Sequence, residues 1–405
     1  MVYKRFGPYC LAGSGDFPGR ARPVEGPFAP LILLQNRDPL TSRCLYPVDS
    51  LEQVGQESIA ALLPTGDGGG SSLARFIRAN GAGVLNTGFP RCWSYLDRFQ
   101  APPPEKFRVT LVGLGDVGGT VLTGLKLLGT ELSEIRIYDP NQALCQRYAL
   151  ELNQVLSLED KPLPQVAVCP QGELFDCDLF LFTASRGVPP LGAGGDVRMA
   201  QYEANRQMLK TYARMARNAG FSGLFCQISD PVDHLCRSVF LESNRDETGK
   251  LDFRGLAPEQ IQGFGLGVMA ARAAYAAGEE GLPTAPLRVY GPHGAGLVVA
   301  NAPLAGYDGE ISRRLTARTR EMNLEVRALG FKPYIAPGLS SAAVSILRLI
   351  RGLPHYGAVP LGGAYFGCLN TMTPLGPAAV REALAPGLQQ RLDTALRELQ
   401  GFAHG

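Results

Sequence analysis

The sequence predicts an α/β protein: a parallel sheet covered by helices on both faces, followed by an α+β lobe and preceded by a small N-terminal extension. Three observations carry this expectation. Between Phe107 and Ile228, short apolar segments alternate with longer amphipathic ones, as strands buried on both faces and joined by crossover helices do. Within that stretch, Phe107–Asp139 runs in the order strand, glycine turn, helix, strand, acid. After about Pro231 the helices lengthen and the strands thin out. We therefore expect an N-terminal extension over 1–104, a nucleotide-type domain over 105–232 and a substrate domain over 233–405.

Taken in order, glycine and proline punctuate the first hundred residues, with breaks at Gly66–Ser72 and Ala101–Pro104. Between them a strand is expected at Pro30–Leu34 and a short helix at Leu73–Ala79. Consecutive prolines favour extended backbone and offer no amide donors, so Ala101–Pro104 is the expected linker. The region is expected to form a small α+β cap or an oligomerisation arm, and no function is assigned to it. Strands are expected at Arg108–Val112, Glu134–Tyr138, Gln165–Val168, Leu179–Thr183 and Gly223–Ile228, with helices at Gly118–Leu128, Ala143–Gln154 and Val197–Asn218. In the last lobe the helices expected are Glu259–Ala277, Gly309–Leu329 and Leu384–Leu399.

Composition narrows the partners. A net charge of +2 and a charged fraction of 19% give no basic field, so nucleic acid is not expected as a partner. The N-terminal residues lack the apolar run of a signal peptide, and no stretch is long and apolar enough to span a bilayer, so a cytoplasmic location is expected. The nine cysteines are scattered, odd in number and form no CxxC pair, which points to reduced thiols and no metal site.

The Phe107–Asp139 segment has the residues that hold a dinucleotide. Gly113 permits the tight turn out of the strand, Gly115 lets backbone approach a pyrophosphate, and Gly118 lets the helix pack closely on the sheet. Asp116 and Val117 lie within the glycine turn, just before the helix whose free N–H groups favour an anion. Asp139 closes the second strand, where a carboxylate accepts ribose hydroxyls and repels a 2′-phosphate. The reading is a Rossmann-type domain that takes NAD.

Only four histidines are present: His234, His293, His355 and His404. His293, in Arg288-Val-Tyr-Gly-Pro-His293-Gly, sits among glycines and proline at a strand end, a position that presents a side chain to a cleft. From Phe107 to about Gln400 the chain resembles the lactate/malate dehydrogenase superfamily. The resemblance rests on Gly113-x-Gly115-x-x-Gly118 and Asp139, on Leu181-Phe182-Thr183-Ala184 leading to a lid at Gly187–Gly195, and on Asp196-Val197-Arg198 with Asn205 behind it. It continues through Gln227-Ile228-Ser229-Asp230-Pro231-Val232-Asp233, Gly291-Pro292-His293-Gly294 and Gly338-Leu339-Ser340-Ser341-Ala342.

The resemblance implies that His293 transfers the proton while a hydride moves between nicotinamide and a 2-hydroxy/2-oxo carbon. It implies that Arg198 polarises the substrate carbonyl and that Arg272 grips the substrate carboxylate in a bidentate fork. Asn205 and Ser340 would then belong to the substrate pocket, and Thr183, Ala184 and Ser229 to the cofactor site. A homodimer or homotetramer is likewise implied.

Three departures qualify this. The aspartate that orients the family's histidine, three residues before the substrate-gripping arginine, is Met269. The asparagine that contacts nicotinamide or substrate oxygen is Asp230, and the lid arginine of malate-type enzymes is Pro189 or Pro190. A thioether cannot accept the imidazole N–H strongly. Asp230 is therefore expected either to replace the missing acid or only to cap the turn before the following helix. The expected function is an NAD-dependent oxidoreductase acting on a small 2-hydroxy or 2-oxo acid other than a dicarboxylate. The alternative is a catalytically weak NAD(H)-binding protein that serves as a sensor or assembly partner.

Overall fold

A computed structural model describes residues 1–15, 17–66, 69–98, 103–157, 161–186 and 197–404. The N-terminal region folds into a mixed sheet of β1 (Val2–Phe6), β2 (Tyr9–Gly13), β3 (Arg22–Pro23), β4 (Leu31–Gln35), β5 (Leu45–Val48) and β6 (Ala82–Asn86), in the order 3-1-2-4-6-5. Strands β2, β4 and β6 run parallel, β1 and β5 flank them antiparallel, and β3 pairs antiparallel with β1. The expected short helix is α1 (Ser72–Asn80). Ser71 caps its start by accepting the Ala74 N–H, Gly81 ends it at φ +70°, and Leu73, Ala74 and Ile77 bury its inner face. Helix α2 (Cys92–Arg98) follows.

The second sheet opens with β7 (Phe107–Val112), β8 (Leu132–Tyr138), β9 (Gln165–Val168), β10 (Leu179–Phe182), β11 (Leu224–Gln227) and β12 (Ile261–Gly263). Their spatial order is 9-8-7-10-11-12, all parallel, which is the doubly wound dinucleotide arrangement. Helices α3 (Asp116–Leu128), α4 (Gln142–Leu152), α5 (Val197–Asn218) and α6 (Val232–Ser243) make the crossovers. Burial on both faces can be traced in β10: Leu179 and Leu181 enter one core, while Phe180 and Phe182 enter the other.

After β12 come α7 (Leu266–Glu279), the two-stranded β13 (Arg288–Tyr290) and β14 (Val298–Ala300), and α8 (Gly309–Ala328). A π-helical turn (Pro337–Ala343) then runs into α9 (Val344–Ile350). Strands β15 (His355–Leu361), β16 (Ala364–Thr373) and β17 (Gly376–Ala379) extend the second sheet antiparallel beyond β12, making nine strands, and α10 (Pro386–Gln400) covers them. Among the described residues, no helix is long and apolar enough to cross a membrane.

Two expectations change. The helix expected over Glu259–Ala277 is a short 3-10 turn and strand β12 followed by α7. A run of three sheet residues has too little periodicity to stand out beside the alanine-rich helix that follows. At Gly263 a Cβ would come within 3.0 Å of Val232, Cys236 and Ala358, so only glycine fits this crowded central strand. The parallel sheet therefore extends past the boundary expected at residue 232.

The N-terminal region is also more than a cap or arm. Its Tyr9, Leu11, Ile32, Leu85 and Phe89 share one core with Phe180, Phe225, Phe240 and Tyr365 of the main body. The Tyr95 hydroxyl donates to the Gly255 carbonyl at 2.8 Å, and the Cys44 N–H donates to Glu259 Oε1 at 2.8 Å.

Glu259 is buried, and burial lifts its carboxyl from 4.5 to about 8, outweighing the Cys44 N–H bond. The unfolded chain releases this proton near pH 4.5 while the folded chain holds it to about pH 8. Stability should therefore fall through that window by an amount on the order of 3–5 kcal/mol. Glu259→Gln keeps the acceptor for Cys44 and removes the charge. Denaturant melts at pH 5 and pH 9 should show a smaller loss of stability for Glu259→Gln than for wild type, and equal losses would reject this account.

Candidate active site

Backbone crowding shapes the glycine turn after β7. Gly113 adopts φ +96°, and a Cβ there would lie 2.6 Å from the Ala184 amide nitrogen, because the end of β10 crosses directly over the turn. A Cβ on Gly118 would collide with the Gly113 carbonyl and the Thr183 hydroxyl. That hydroxyl donates to the carbonyls of Val112 (3.0 Å) and Gly113 (2.6 Å).

Gly115 differs. Nothing lies within 4 Å of where its Cβ would be, and it stands at the N-cap of α3 with no side-chain cap. The open N–H groups and positive end of α3 face that space, which is the chemistry a pyrophosphate requires. Asp139 ties the turn together, accepting the Leu114 N–H on Oδ2 and the Asn141 N–H on Oδ1, both at 2.9 Å. Each carboxylate oxygen keeps a lone pair that a ribose hydroxyl can use. Asp116 turns away to Lys332 (3.1 Å), and Val117 packs against the core on this face.

The turn from β11 to α6 is fixed from several sides. Ser229 Oγ donates to the Ala184 carbonyl at 2.7 Å, and a cis peptide joins Asp230 to Pro231. Asn205 on α5 is fully buried. Its Nδ2 donates to the Asp230 carbonyl (2.7 Å) and to Ser185 Oγ (3.3 Å), while Oδ1 accepts the Arg186 N–H (2.9 Å). Resemblance placed Asn205 in the substrate pocket; here its amide is engaged by the turn and by the root of the lid segment. Residues 187–196 of that segment, with Pro189, Pro190 and Asp196, lie outside the described residues, as does the side chain of Arg198.

His293 is held by three elements. Its Nδ1 lies 2.9 Å from Asp230 Oδ1, and its backbone N–H donates to Asp233 Oδ2, also at 2.9 Å, on the first turn of α6. Its ring packs on Gly265, where a Cβ would lie 2.9 Å from His293 Cβ. The His293 side chain is 16% exposed and that of Asp230 49%, so the pair keeps contact with solvent. Burial pulls the imidazole pKa down, but the charge and hydrogen bond of Asp230, with help from Asp233, outweigh it and raise the value. Burial lifts the Asp233 carboxyl to about 6 despite the His293 N–H bond. Burial lowers the Arg272 guanidinium pKa while Asp230 opposes that effect, so Arg272 faces the same charge cluster.

Met269 is 5% exposed and packs with Val268, Ala273, Leu287 and Val299; its sulfur lies 4.0 Å from Arg272 Nη1. Ser340 is half-buried in the π-helical turn, where its carbonyl accepts Ser345 Oγ at 2.9 Å. Its neighbour Ser341 fixes the start of α7, donating to the Gly265 carbonyl (2.7 Å) and accepting the Val268 N–H (2.9 Å). His355 and His404 serve packing: burial drives their imidazoles down to about 4 and about 3.

Sequence reasoning missed Asp233, Gly265 and Ser341 as supports of this site. An acid three residues after Asp230, at a helix start, was the available signal for the first. The other two depend on contacts between distant segments and left no local mark.

No protein-family model matches the sequence. The L-lactate dehydrogenase 2 of Bacillus cereus is 28% identical over 172 residues, which is 42% of this chain and 49% of that protein. The L-lactate dehydrogenase of Mycoplasma pneumoniae is 26% identical over 212 residues, 50% of this chain and 61% of its own length. The chain thus spans about half to three fifths of the curated relatives it matches. The minor L-lactate dehydrogenase of Enterococcus mundtii, in a ligand-bound form, superposes with a TM-score of 0.60 at 17% identity, covering 73% of this chain and 97% of that one. The malate dehydrogenase of Archaeoglobus fulgidus in complex with NADH gives 0.60 at 18% identity, covering 72% and 97%. The main body of the chain thus has the fold of lactate and malate dehydrogenases, and about half of the sequence is distantly similar to L-lactate dehydrogenases.

Proposed function

We propose that this protein is an NAD-dependent oxidoreductase that interconverts a small 2-hydroxy acid and its 2-oxo acid. The observation that carries the reading is the His293–Asp230 pair at 2.9 Å, which supplies an oriented acid–base where the family's usual acid is Met269. When bound, the nicotinamide would give or take the hydride. Gly113, Gly115 and Gly118 would hold its pyrophosphate at the start of α3, Asp139 its ribose, and Thr183, Ala184 and Ser229 would line the way to its reactive ring.

The residues of the chain do the remaining work. With Nδ1–H directed to Asp230, the tautomer leaves Nε2 to exchange a proton with the substrate oxygen. Asp230 stabilises the imidazolium, and Asp233 holds the histidine backbone so that the ring meets the same point in every turnover. Arg272 would grip the carboxylate, its burial strengthening that charge-assisted contact. Arg198 would stabilise negative charge on the reacting oxygen. Proline at 189 and 190 removes a cation for a second carboxylate, which favours a monocarboxylic substrate.

Gly118→Ala should leave the far-ultraviolet circular dichroism unchanged yet weaken NADH binding at least ~10-fold by fluorescence titration, because the Cβ displaces the Gly113 carbonyl. Undiminished affinity would remove the glycine turn from the cofactor site. Asp230→Asn should lower kcat for 2-oxo acid reduction by roughly 10²–10⁴-fold and move the alkaline limb of the pH profile to lower pH, since reduction needs imidazolium and Asp230 raises its pKa. Adding Met269→Asp should recover part of the loss. NADH binding without His293-dependent turnover on any 2-oxo acid would favour a binding protein over an enzyme.

A further inference from the structure

A second cleft, of about 630 Å³, opens where the N-terminal sheet meets the main body. Arg37, Asp38, Thr41 and Ser42 form one wall, following the C-terminal end of β4; Arg237 of α6 and Gln400 at the end of α10 stand on the other. Strands β4 and β6 are parallel neighbours. Small-molecule sites in open α/β sheets gather outside the carboxyl ends of such strands.

The charges in this cleft do not balance. Arg237 donates to the Leu40 carbonyl at 2.9 Å and lies over the Phe240 ring at 5.0 Å, and no carboxylate oxygen lies within 4 Å of it among the described residues. Arg37 donates to the Gly55 carbonyl at 2.6 Å and likewise makes no ion pair among them. Glu57, also on the lining, is neutralised by Arg43 at 3.2 Å and accepts the Gly362 N–H at 3.0 Å. Asp38 is then the only acid left against two guanidiniums on this lining, and its Oδ1 already accepts the Leu40 N–H. A half-buried Arg237 and an exposed Arg37, neither ion-paired among the described residues and each with N–H groups to spare, offer an anion two positive partners. The hydroxyls of Thr41 and Ser42 and the Gln400 amide suit the polar body that would carry it.

We propose that this cleft binds a small polar solute bearing an oxyanion, either a phosphate monoester or a carboxylate, at a site separate from the one that holds His293. Phosphate and carboxylate offer the same fork to a guanidinium, so direct binding has to distinguish them. Isothermal titration of the full chain with inorganic phosphate, a hexose monophosphate and a tricarboxylate forms the test. At least one should saturate with a Kd below about 10 mM. Arg237→Gln and Arg37→Gln should each weaken it at least ~10-fold while leaving NADH affinity within about twofold of wild type. Arg37 lies at the rim, so its variant keeps the test sound if Arg237→Gln unsettles the Leu40 contact. Binding by the phosphates alone or by the carboxylate alone would name the ligand class. No binding by any of the three, or binding unchanged in both variants, would overturn the proposal.

Discussion

The geometry of the site depends on the buried amide of Asn205. One side chain reaches the Asp230 carbonyl, the Ser185 hydroxyl and the Arg186 N–H, so it fixes the turn after β11 to the segment leaving β10. An amide buried at 0% exposure costs roughly 1–3 kcal/mol for each group left unpaired, which makes any other course of the turn unfavourable. Once the turn is set, the Asp230 carboxylate in the turn and the Asp233 carboxylate on the first turn of α6 meet the ring and the backbone of His293. The acid–base pair therefore follows from the packing of α5 and α6 against the sheet.

The carboxylate beside His293 stands on a turn and not on helix α7. At position 269 the α7 helix packs its side chain into an apolar cluster with Val268, Ala273 and Val299, and methionine suits that setting. The carboxylate that meets His293 comes from the strand-to-helix turn, where Asp230 stays half exposed and acts on the Arg272 charge. A charge in contact with water costs less to hold than one in the α7 core.

The parts of this fold legible in the sequence were those dictated by local sterics and periodicity. The strands from β7 to β11 and helices α3 to α5 matched their expected spans to within a few residues, because apolar periodicity and the glycine turn act over short distances. Gly113 and Gly118 were legible for the same reason. Strand β12 was not, since three residues carry no period of their own. The union of the N-terminal sheet with the main core was also hidden. It rests on contacts such as Cys44 with Glu259, 215 residues apart, which no local pattern announces. For Asn205, the place on helix α5 was readable. The direction of its amide was not, because it depends on where the β11 turn and the root of the lid meet in space.

The central claim is that Asp230 has taken the place of the missing orienting acid. Titration of isotope-labelled histidine by nuclear magnetic resonance, with His293 assigned by its loss in His293→Gln, tests it most directly. The account predicts a raised His293 pKa in wild type and a clear fall in Asp230→Asn, with the Nδ1-protonated tautomer dominant only when the carboxylate is present. An unchanged pKa and tautomer in Asp230→Asn would contradict it.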